Sequence, residues 1–110
     1  MGYGALLAAA LWFGAAAPAA AQAAGDVAAG REKAQACAVC HGPLGLSSAP
    51  DAPNLAAQPA IYLAAQLRAY RSGARQHEVM SVMSKTLNDK DIDNLAAWYA
   101  SLQVEVKPPL

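Results

Sequence analysis

Apolar residues near the end of the chain recur with the spacing of one helix face. Ile92, Leu95, Ala96, Tyr99 and Leu102 fall at i, i+3, i+4, i+7 and i+10. Asn88 stands before them as N-cap, and Asp89 and Asp91 occupy the first turn, with Asp91 at the capping-box position. This predicts a helix over residues 89–102. The tail beyond it leaves the helix, because Pro108 and Pro109 cannot extend one. A second stripe, Leu63, Leu67 and Tyr70, predicts a helix over residues 59–72. Pro59 suits its first position and Gly73 its C-terminal stop, while Arg68, Arg71 and Arg75 gather at the negative end of its dipole. A third helix is predicted from about residue 26 to 37. Asp26 caps it, and Val27, Gly30, Ala34 and Cys37 share a face. A mid-helix glycine costs about 1 kcal/mol against alanine, so Gly30 implies close approach of another helix. Residues 42–57 carry two Gly and three Pro without periodicity, and are expected to form a loop wrapped around something. With no repeat and no convincing strand, the expected class is a small all-α domain.

The first 24 residues carry no charged side chain. An apolar run, Pro18 and then small residues resemble a secretory leader with an A-x-A site at Ala21-Gln22-Ala23. No Lys or Arg precedes the run, which departs from that pattern. The competing reading is a retained membrane anchor, but the run is mostly alanine and is broken by Gly14 and Pro18. The expected division is therefore a leader over 1–23 and one domain over 24–110. Removing 23 of the 110 residues leaves 87. A domain that small needs help from a disulfide, metal or cofactor, and this one has no Phe after Phe13. The chain has 8 basic and 8 acidic side chains, well mixed, so no basic footprint for nucleic acid exists.

The chain has only two cysteines, and both fall in CAVCH, residues 37–41. Zinc would need four ligands; Cys37, Cys40 and His41 supply three at most, and the adjacent Cys40 and His41 do not easily reach one tetrahedral ion. A redox dithiol would need a low-pKa thiol at a helix N-terminus in a thioredoxin-like sheet, and no βαβ pattern is present. The third reading is covalent haem attachment, for which C-x-x-C-H is the pattern. The two sulfurs form thioethers with the vinyl groups, and the next histidine faces the iron. Export fits, since haem is attached covalently outside the bacterial cytoplasm.

Gly30, CAVCHG at 37–42, PNLAAQ at 53–58, YLAAQLRAYRSGAR at 62–75, Met80 and LNDKDIDNLAAWYASL at 87–102 resemble the small bacterial class I cytochromes c. They are similar to one half of the periplasmic dihaem cytochromes. The resemblance covers about the whole chain after the leader. It implies three main helices around one covalent haem c, with the first and last helices crossing near Gly30 and Tyr99. Ala57 departs from it, standing where the family often has glycine; this matters little if the backbone there is not at positive φ. One such domain is present, so transfer between two fused haems is not expected.

The resemblance makes His41 one axial iron ligand and favours Met80, seven residues before Leu87, as the other. Met83 is then a packing residue. His77 or an open site are the remaining options. The resemblance also puts a proline carbonyl, Pro53, against the free N–H of His41, as iron-bound histidines require. Tyr62, Gln66 and Arg71 are candidates to hold the haem propionates; ordinary core or surface roles suit each as well. The implied function is a periplasmic one-electron Fe(III)/Fe(II) carrier and not an enzyme. With both axial positions filled, no small-molecule substrate is expected. Partners would be redox proteins docking transiently at the haem edge near Ala38, Val39 and residues 44–50. The alternatives are a haem-bearing subunit of a membrane oxidase or dehydrogenase complex, and a sensor or enzyme with an open sixth position.

Overall fold

The structure, a computed structural model, describes Met1 and residues 25–110. The expected leader, apart from Met1, lies outside the described residues. Five α-helices and no strand occur among those described: α1 (Val27–Lys33), α2 (Ala38–His41), α3 (Ala60–Ser72), α4 (Met80–Lys85) and α5 (Asp89–Ser101). A 3₁₀ turn, Ala34–Ala36, joins α1 to α2. The first predicted helix is thus three pieces. α1 tightens after Lys33, and the cysteine pair begins a separate turn that ends at Gly42, at φ 80°.

Caps fix the ends largely as the side chains dictate. Asp26 accepts from Ala29 N–H at 2.8 Å. Asn88 and Asp91 form a reciprocal capping box at the start of α5. Gly73, at φ 85°, closes α3. Pro59 is the extended N-cap of α3 rather than its first helical residue, so the helix starts at Ala60.

α1 packs on α5, and α3 packs on both α4 and α5. Their shared core is Ala34, Leu63, Ala64, Ile92, Leu95, Ala96 and Tyr99, edged by Cys37, Leu55, Leu67, Leu87, Trp98 and Leu102. Burial of Ile92 and Leu95 stabilises the fold by about 1.5–3 kcal/mol each. Gly30 is where α1 meets α5. A Cβ there would lie 1.9 Å from Asn94 O and 2.8 Å from Trp98 Cβ. The crossing is centred on Asn94 and Trp98, one turn before or beside Tyr99, which instead packs on Gly45. Lys33–Asp91 and Arg68–Asp93 pairs flank the helices, at 3.2 and 2.7 Å. Partly exposed pairs of this kind contribute little, about 0–1 kcal/mol.

The 42–57 segment has no regular helix but is tightly tied. Gly45 O accepts from Leu55 N–H and Ala56 N–H at 2.7 and 3.1 Å. Ser47 N–H donates to Asn54 Oδ1 at 2.7 Å, and Ser47 Oγ donates to Cys40 O at 2.8 Å. Ala57 N–H donates to Tyr99 O at 2.9 Å, anchoring the loop to α5.

Candidate functional site

α2 is a single turn, so its side chains change direction quickly. Cys37, just before it, is half-buried against the core, Cys40 is exposed, and His41 is buried. Both thiols are free of disulfide. Burial pushes the Cys37 thiol up, only partly opposed by a hydrogen bond with Tyr99. That is the opposite of the lowered pKa an exchange-active dithiol needs. Among the described residues, no group of three or more His, Cys, Asp and Glu side chains is placed to hold a metal ion.

His41 Nδ1 lies 2.8 Å from Pro53 O. A carbonyl only accepts, so Nδ1 carries the proton and donates, and Nε2 is the basic nitrogen with a free lone pair. Nε2 makes no hydrogen bond to any described residue. The tied 42–57 loop thereby fixes both the tautomer and the ring. Two unpaired sulfurs and one basic nitrogen on a single turn fit a covalently held haem: thioethers from Cys37 and Cys40, and an iron ligand from His41.

The other candidates are placed as follows. Met80 opens α4 and is partly buried, whereas Met83 is 38 % exposed. His77 is exposed, and its Nδ1 accepts from Val79 and Met80 N–H at 3.2 and 3.3 Å. Arg71 donates to Leu87 O at 3.1 Å and to Asp89, and its guanidinium holds the Asp89 carboxyl below its usual range. Gln66 Oε1 accepts from Arg75 at 2.6 Å. Tyr62 is half-exposed. Val39, between the cysteines, is 90 % exposed.

The cytochrome c family matches residues 27–103, the whole helical assembly with its CAVCH turn. This chain belongs to the cytochrome c family. It is 44% identical over 81 residues to cytochrome c-554(548) of Halomonas halodenitrificans, covering 71% of this chain and 98% of that one. It is 42% identical over 86 residues to cytochrome c4 of Pseudomonas aeruginosa, covering 78% of this chain and 43% of that one. A relative from Thiomonas intermedia, named a thiosulfate dehydrogenase electron acceptor, is 42% identical over 77 residues, covering 69% of this chain and 36% of its own. Among solved structures, reduced recombinant cytochrome c4 from Pseudomonas stutzeri superposes with a TM-score of 0.70 at 36% identity, covering 76% of this chain and 48% of that one. The chain therefore spans nearly all of one relative and less than half of the others. This cytochrome c has the class I fold, binds covalent haem c with its iron, and carries electrons.

The sequence did not mark His77 as structural, and it marked Ala57, at φ 63°, only through the glycine that the family often has there. The first had a signal: a hydrogen-bond acceptor two and three residues before the N–H groups that open a helix. The second had none in the residue itself.

Proposed function

We propose that this cytochrome c is a periplasmic one-electron carrier in which His41 and Met80 are the axial ligands, and Cys37 and Cys40 the covalent anchors. The observation that carries it is the 2.8 Å contact of His41 Nδ1 with Pro53 O, which leaves Nε2 as the basic nitrogen of a buried histidine. Bound haem supplies the iron that gains and releases one electron. His41, oriented by its carbonyl partner, would bind that iron through Nε2. The Met80 thioether would be the second ligand, favouring the reduced state and leaving no open position for small molecules. Met80 is preferred to Met83 because it is the less exposed and begins α4. Tyr62, the unused amide N–H₂ of Gln66 and the remaining N–H groups of Arg71 are available to the propionates. Exposed Val39 and Leu44 provide an apolar docking rim for redox partners. Export with removal of residues 1–23 is part of the same reading. No helix among the described residues is long and apolar enough to cross a membrane.

The test uses protein matured with covalent haem. Intact mass should show one haem and loss of the leader. The reduced spectrum should ignore carbon monoxide in the parent and respond to it in Met80→Ala. A Met83→Ala protein that opens instead would transfer the ligand role to Met83. A parent protein that binds carbon monoxide would favour a sensor or enzyme.

A second reading is attachment to a dehydrogenase as its electron acceptor, favoured by the likeness to the thiosulfate dehydrogenase electron acceptor of Thiomonas intermedia. It predicts co-purification with a redox enzyme at native levels, and reduction of this domain by that enzyme's substrate.

A further inference from the structure

Met80 does not stand on a preformed long helix. It is the first residue of α4, which has only six residues, and helices so short are not stable by themselves. Something must hold the turn that presents the sulfur. His77 is joined to that turn by four hydrogen bonds. Its ring Nδ1 accepts from Val79 N–H at 3.2 Å and Met80 N–H at 3.3 Å. Its main-chain N–H donates to Ser81 Oγ at 3.0 Å, and its carbonyl accepts from Ser81 N–H at 2.9 Å. The imidazole thus does what an Asn or Asp side chain does at an N-cap, accepting from the N–H groups two and three residues on. The reciprocal bond from His77 N–H to Ser81 completes a box around Met80.

We propose that His77 is a positioning residue for Met80: its Nδ1 caps the turn that carries the ligand sulfur and so sets how firmly that sulfur stays on the iron. The proposal rests on Met80 being the ligand. His77 is exposed, so replacing it leaves the core untouched.

The experiment compares the parent with His77→Ala, His77→Asn and Met80→Ala, all carrying covalent haem. Three properties are read: the rate of carbon monoxide binding to the reduced form, the weak far-red band that sulfur coordination gives the oxidised form, and the melting temperature. Loss of a cap should raise the open population, so His77→Ala should bind carbon monoxide about five to ten times faster than the parent, with a weakened far-red band. His77→Asn, which keeps an acceptor at the capping distance, should restore both. A His77→Ala protein as closed as the parent would overturn the proposal, even if it melts lower. So would an Asn variant as open as the Ala variant. Met80→Ala separates the two failures. If it opens freely while His77→Ala stays closed, only the positioning role is wrong. If it stays closed, the ligand assignment fails and takes the positioning role with it.

Discussion

Ala57 occupies the left-handed region at φ 63°, where a side chain is strained by about 1–2 kcal/mol. Its N–H bond to Tyr99 O holds it there. The resemblance to cytochromes that often carry glycine at this place has consequence only if φ is positive, and it is. Ala57→Gly should therefore raise stability by roughly 0.5–1 kcal/mol, the relieved strain less the greater freedom of glycine in the unfolded chain. For a domain of this size that is a rise of a few °C in Tm, read by thermal melting of the haem-loaded protein. An unchanged or lowered Tm would show that the surroundings have already absorbed the strain. Nothing in an alanine announces such a conformation; it is imposed by contacts far along the chain. The contact of His41 with Pro53, by contrast, was legible, because the family pattern names both residues.

At the level of elements, Gly30 decides how closely α1 and α5 approach. Gly30→Ala gains about 1 kcal/mol of helix propensity but drives a methyl into the Asn94 carbonyl. Since backbone on both sides must separate, overpacking wins, and a net loss of about 2 kcal/mol is expected in denaturant unfolding of the loaded protein. A neutral result would mean the two helices slide apart without cost. The glycine and its purpose were readable from its place inside a helical pattern. α4 was not readable. Six residues make too little periodicity to see, and its N-cap position is Val79 rather than one of the usual capping residues. The first helix was read as unbroken because Ala34–Ala36 is as compatible with a 3₁₀ turn as with α-helix, and only packing chooses between them. α5 carried both a capping box and a full apolar stripe, and its ends were placed to within one residue.

For the whole molecule, the helical class followed from three apolar stripes, and the site from one pentapeptide. How the pieces are tied together lay in loop hydrogen bonds that no pattern encodes. The phenol of Tyr99 makes the fold sensitive to alkali. Burial pushes it well above its ordinary value near 10. The neutral phenol is thus the form the fold prefers. Its contribution is complete below about pH 10 and is lost as pH rises toward the folded value. Denaturant midpoints should fall above about pH 10, and the fall should be smaller in Tyr99→Phe. Equal falls in both proteins would assign the effect to other groups.

The Pro53 carbonyl on His41 has a further consequence for speed. Gly45 and Asn54 bond across the loop that carries it, while Ser47 and Ala57 tie that loop to Cys40 and Tyr99, so the imidazole is held from behind by a firm strap. In the proposed role of iron ligand, an imidazole gripped in this way would have little room to shift when the iron changes charge. The cost of rearranging atoms for each electron is correspondingly small, and exchange can be fast even with partners that touch the surface only briefly.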